Sequence, residues 1–172
     1  MHFKKTYLLL FFTCLSYISF AQFGNEWINY DLTYYKFQIG EEGIYKVTYE
    51  TLDSLGLPVT TLNPKNIQLY AKGEEVAIYV SGEADNSFDP GDFIEFYAIG
   101  NDGWLDKILY KNSHEQTNPN YSLYQDSLPY FLTWETSTTG IRMEQKTNTI
   151  TSSKTDSFYL ETKYFNYSSN FY

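Results

Sequence analysis

The sequence predicts an all-β protein, a mainly antiparallel β-sandwich-like domain with one short helix. Three observations point there. Short apolar runs alternate with period two, as half-buried strands do. Clusters of Gly, Asn, Asp, Ser and Pro separate these runs at close spacing. Tyr, Phe and Trp, which suit a pleated surface, make up 20% of the residues. The clearest stretch is 76–100, VAIYVSGEADNSFDPGDFIEFYAIG. Its runs 76–80 and 93–98 place Val76, Ile78 and Val80 on one face, and Ile94 and Phe96 on the matching face of a partner.

The remaining elements follow in order. Residues 27–39 are aromatic and read as extended, and GEEG at 40–43 turns the chain into the alternating run 44–49, which predicts a hairpin. Residues 49–55 suit a short helix. Thr48 caps it, Leu52 and Leu55 share a face, Gly56 ends it and Pro58 bars continuation. NPKN at 63–66 is a turn into a strand at 67–70, and KGEE at 72–75 turns the chain back into 76–80. NDG at 101–103 is a further turn, 104–110 a short strand or loop, and 111–120 polar and irregular. Strands are expected at 121–124 and 130–134, a Ser/Thr loop at 135–140, and another strand at 141–146. Residues 147–156 are polar, and 158–165 reads as the last strand.

Both ends carry expectations of their own. Lys4 and Lys5 precede a 14-residue apolar run, 7–20, shorter than the about 20 residues a membrane span needs. Ser19-Phe20-Ala21 then supplies a small-x-small cleavage pattern, so 1–21 reads as a signal peptide, with an uncleaved signal anchor as the alternative. Thr13 and Phe12 before Cys14 do not suit lipidation. Export to the periplasm, the outer-membrane surface or the medium follows, as one domain over 22–172 with no transmembrane span. Cys14 is the sole cysteine, so the exported part has neither disulfides nor thiol chemistry. Removing Lys4 and Lys5 takes the formal charge from −9 to −11, which argues against nucleic acid and anionic lipid as partners. Aromatic residues continue to Tyr172, the pattern of a chain truncated before a further segment, or of a terminal edge strand.

Candidate chemistry is sparse. Asp85, Asp89 and Asp92, beside Glu83, crowd one loop and are a candidate calcium site. The spacing departs from the EF-hand loop, because Pro90 stands where Gly is required and Phe96 where Glu is required. The alternative is a hairpin loop whose Asp side chains cap local N–H groups. Trp27, Trp104 and Trp134 are a candidate sugar-stacking platform or partner surface, set against ordinary cross-strand packing. His114 is the one histidine beyond the leader, and no nucleophile–base set or G-x-S-x-G elbow accompanies it. No catalytic residue and no cofactor other than calcium is assigned. Asp53-Ser54-Leu55 and Asp126-Ser127-Leu128 resemble a short O-glycosylation signal of Bacteroidetes envelope proteins.

The order of motifs carries a resemblance. Residues 35–39 with GIYKVTY at 43–49, 52–56, NPKNIQLY at 63–70, the block 78–100, NPNYSLY at 118–124 and YFLTW at 130–134 together resemble the N-terminal region of gingipain-family cysteine peptidases of the PorU-like sortase type. Those peptidases belong to the type IX secretion machinery of Bacteroidetes. The resemblance implies a non-catalytic, prodomain-like β-domain ahead of a caspase-like catalytic domain that holds the Cys–His dyad. Its implied partners are that downstream domain or envelope secretion proteins. The competing reading is a stand-alone secreted module that binds a glycan or an envelope protein through exposed aromatics.

Overall fold

A computed structural model describes residues 24–116, 118, 120–147 and 160. The expected leader 1–21 with Cys14, and the strand expected at 158–165, lie outside these residues apart from Leu160. The chain divides into two compact units, Met1–Tyr30 and Asp31–Tyr172. In the first, the Ile28 N–H reaches the Asn25 carbonyl at 3.0 Å and Asn25 Nδ2 donates to the Tyr30 hydroxyl at 2.7 Å. Residues 27–34 form no strand, and of the run expected to be extended from residue 27 only Tyr35–Ile39 is one.

The second unit is mostly antiparallel β-structure in two sheets, with one short α-helix, as the alternation predicts. Its strands are β1 (Tyr35–Ile39), β2 (Gly43–Thr48), β3 (Ile67–Ala71), β4 (Glu74–Val76), β5 (Ile78–Val80), β6 (Phe93–Ala98) and β7 (Leu128–Trp134). The helix is α1 (Tyr49–Ser54). The first sheet runs β1-β7-β3-β4 and the second β2-β6-β5. Ile78 lies opposite Phe96 and Val80 opposite Ile94, so β5 and β6 pair on the faces that the sequence marks.

The hairpin expected of 27–39 and 44–49 does not form. β1 pairs with β7 and β2 with β6, in different sheets. The reason lies in the apolar faces. Phe37 of β1 and Tyr45 of β2 both approach Phe96, with centroids 5.9 and 6.0 Å away. A link between layers buries both faces against one core, whereas a hairpin would leave both on one layer. The crossing is tight: a Cβ on Gly100 would collide with the Gly40 carbonyl.

Between β3 and β4, Lys72 and Gly73 both have positive φ, 53° and 83°, as a two-residue type I′ hairpin requires. The run expected as one strand at 76–80 breaks at Ala77, with Val76 in the first sheet and Ile78 in the second. Helix α1 matches the predicted signals. Thr48 Oγ1 accepts from Thr51 N–H, and Gly56 takes φ +79°. Gly56 N–H meets the Asp53 carbonyl and Leu57 N–H the Leu52 carbonyl, a Schellman close. Leu52 is buried, but Leu55, the C-cap and still right-handed helical in conformation, is solvent-exposed.

Two further strands are absent. Residues 121–124 bend sharply because the Asp106 carboxylate draws in both Ser122 and Leu123. Residues 141–146 make one parallel bridge, Arg142 to Ile78, because the Arg142 side chain is anchored across the adjoining turn. Residues 104–110 contain a 3₁₀ turn, Asp106–Leu109. The core holds Leu52, Ile67, Leu69, Ile78, Phe88, Ile94, Phe96, Leu128 and Leu132 among its buried side chains. Among the described residues, no helix is long and apolar enough to cross a membrane.

Candidate functional site

The acidic loop between β5 and β6 folds around its own backbone. A 3₁₀ turn, Glu83–Asp85, sits between Gly82 and Asn86, whose φ angles are +77° and +67°. Asp85 Oδ1 accepts from Ser87 N–H at 2.9 Å, and Ser87 Oγ reaches Asp89 Oδ1 at 3.0 Å. Asp92 Oδ2 accepts from Asp89 N–H at 2.8 Å. Short Asp side chains reach N–H groups two or three residues away, which is why they stabilise tight loops. Phe88 is buried beneath, against Tyr49 at 5.9 Å, and pins the loop to the core. Among the described residues, no group of three or more His, Cys, Asp or Glu is arranged to hold a metal ion.

Glu50 of α1 joins this loop by accepting from Gly91 N–H at 3.0 Å. Its carboxyl is held below the usual carboxylate range, by backbone hydrogen bonding at the helix start, then by Thr48 and Gly91.

Beside the loop lies an open groove of about 440 Å³, lined by Lys65, Tyr79, Val80, Gly82, Glu83 and Ala84. Two of these residues, Lys65 and Glu83, are braced by Arg142, a residue the sequence gives no reason to single out. The guanidinium donates to the carbonyls of Pro64 (2.8 Å), Lys65 (2.9 Å) and Ile67 (3.1 Å), and to Glu83 Oε1 (2.8 Å). The carbonyls of the 3₁₀ turn Pro64–Asn66 have second lone pairs free, and the planar fork of Arg engages several carbonyls at once. Gly140 lies against the same carbonyls, where a Cβ would strike Ile67 O.

The three tryptophans occupy separate settings. Trp27 is half-buried in a turn of the Met1–Tyr30 unit. Trp134 ends β7 and stacks on Tyr35 at 5.6 Å and 15°, a packing role. Trp104 is exposed at the start of the β6–β7 connection, where its N–H bonds Asp102 Oδ1. His114 lies exposed in the 3₁₀ turn Ser113–Glu115. Of the two Asp-Ser-Leu triplets, Ser54 is on α1 and donates to the Thr51 carbonyl, while Ser127 donates to Gln38.

The β6–β7 connection has a polar centre that sequence reasoning did not single out. Asp106 is buried, and its carboxylate accepts from Ser122 Oγ at 3.0 Å and Leu123 N–H at 3.2 Å. Ser122 Oγ in turn accepts from the Tyr124 N–H, and Gln116 Nε2 donates to the Gly103 carbonyl. Asn101 ties the two ends: its Nδ2 donates to the Gln125 carbonyl and its Oδ1 accepts from the Gly103 N–H. The one available signal was Asp106 itself, a carboxylate between apolar neighbours in WLDKIL.

Comparison with family models, with curated proteins and with solved structures gives no match to this chain.

Proposed function

We propose that this chain is the non-catalytic N-terminal domain of a secreted gingipain-like cysteine peptidase, a PorU-like sortase of type IX secretion. In this reading the chain is exported behind a cleaved leader to the cell envelope. It serves as a prodomain-like module that packs on a catalytic domain or on envelope secretion proteins. One observation carries the reading. The motif blocks that resemble this family's N-terminal region supply β1, β2, α1, β3, β5, β6 and β7 of a single two-sheet framework, in the same order. No catalytic residue is assigned within the chain.

The test is the mass of the native protein, detected with an antibody raised to the purified chain. A species far larger than the 20.2 kDa of this sequence supports the reading. A species slightly below that mass overturns it and favours a free-standing binding module. The solvent-facing Trp104 and Tyr124 are what favour that second reading. Loss of glycan-array binding in Trp104→Ala would identify it.

A further inference from the structure

The groove beside the acidic loop brings together an aromatic ring, one side chain of each charge and an open strand edge. Tyr79 lines it from β5, 48% exposed, with its ring 6.0 Å from Phe93. Lys65 Nζ uses one N–H, on Asn86 Oδ1 at 2.7 Å, and keeps two. Glu83 accepts from Arg142 through Oε1 and keeps Oε2.

The edge is open at one residue. Ile78 gives its N–H to the Ile141 carbonyl at 3.1 Å and accepts the Met143 N–H at 2.9 Å, so its main chain faces out of the sheet. The Ser81 N–H meets the Phe93 carbonyl at 2.9 Å, so Ser81 faces into it. Alternation turns the Val80 N–H and carbonyl outward, like those of Ile78, and no main-chain group among the described residues meets them there. Arg142 bridges to Ile78 on this edge and bonds both Glu83 and the Lys65 carbonyl, so the charged walls of the groove stand on the same side.

These groups narrow the ligand. An apolar molecule would leave the ammonium, the carboxylate and the Val80 main chain without partners. An extended peptide needs a run of edge residues, but Ile78 is already bridged and Gly82, at φ +77°, ends the edge beyond Val80. A charged ligand meets Lys65 and Glu83 together, so neither sign is favoured. A neutral sugar matches every wall. Its hydroxyls both donate and accept, and the C–H face of its ring lies well on an aromatic side chain. The volume of about 440 Å³ falls in the roughly 300–1,000 Å³ range of small-ligand sites.

We propose that the groove is a binding subsite for a neutral saccharide. Tyr79 stacks on the sugar ring, while Lys65, Glu83 and the Val80 main chain bond its hydroxyls. The subsite serves a free-standing module and the first domain of a longer protein alike, and Trp104 is not one of its lining residues.

The test applies the full chain to an array of neutral and acidic glycans. The strongest neutral binder is then titrated, as a free oligosaccharide, by isothermal calorimetry. Retention on neutral glycans is expected. Tyr79→Ala should weaken the titrated affinity about tenfold or more, and Tyr79→Phe, which keeps the ring, by less than about threefold. Lys65→Met should also weaken it at an unchanged melting temperature. That variant keeps the test decisive if loss of the Tyr79–Phe93 contact lowers the stability of Tyr79→Ala. Trp104→Ala should leave the affinity unchanged. No retention on any neutral glycan, retention on acidic glycans alone, or full affinity in a folded Tyr79→Ala overturns the proposal. Binding lost in Trp104→Ala but kept in Tyr79→Ala and Lys65→Met also overturns it and moves the sugar to the β6–β7 connection.

Discussion

Among the described residues, Arg142 is the side chain that bonds the most backbone carbonyls. It serves four carbonyls, its neighbour Ile141 included, and Glu83, and the ion pair is only partly exposed, with side-chain accessibilities of 20% and 25%. Arg142→Met should destabilise the domain by about 3 kcal/mol, read as a lower urea midpoint at unchanged slope. Arg142→Lys should recover little of this, because an ammonium cannot span the same carbonyls. Tyr130 makes a second residue-scale case. Its hydroxyl accepts from the Ile99 N–H at 3.0 Å and donates to the Ile99 carbonyl at 3.3 Å. Burial pushes its phenol above the usual value, as it does for Tyr70. A pKa raised by folding means that the native state keeps its proton longer. That contribution is complete below the unfolded value of about 10 and is lost as pH rises through the folded value. The melting temperature should fall as pH rises beyond about 10, and Tyr130→Phe should fall less steeply.

At the scale of elements, α1 separates what sequence pattern can decide from what it cannot. Leu52→Ala should cost about 2–5 kcal/mol, whereas Leu55→Ala should stay within about 0.5 kcal/mol, both by denaturant titration. Helical spacing assigns the two leucines one face, but the core covers Leu52 and stops short of Leu55 at the helix end. The strands were legible for a simple reason. Alternation is a property of the strand itself, so β1, β2, β3, β5, β6 and β7 can be read from their own residues. Pairing is a property of two segments. GEEG at 40–43 has good turn chemistry whether the chain doubles back or crosses between layers, and only the shared contact with Phe96 decides. KGEE at 72–75 was legible because a two-residue loop with positive φ has essentially one outcome. The missing strand at 121–124 shows the opposite limit. Tyr-Ser-Leu-Tyr alternates well, yet a buried carboxylate 16 residues away from Ser122 sets its path.

At the scale of the molecule, aromatic rings join the layers. Phe96 of the second sheet lies 5.9 Å from both Phe37 and Tyr130 of the first, so the aromatic richness of the sequence is partly the material of the core. The candidate site was less legible than the fold. The acidic loop, Trp104 and His114 stand out by composition, but Arg142, Asp106 and Ser122 matter only through contacts distant in sequence. The passage of β4 into β5 has one more consequence. Within the seven residues 74–80 the chain serves first one sheet and then the other, with Ala77 alone between them, and Ile78 also gives its N–H to the Ile141 carbonyl at 3.1 Å. Neither layer can come apart while the other keeps its ladder. The Ile78 amide should therefore exchange with deuterium only through global unfolding, at the free energy of the whole domain, while amides of the 83–92 loop exchange through local openings.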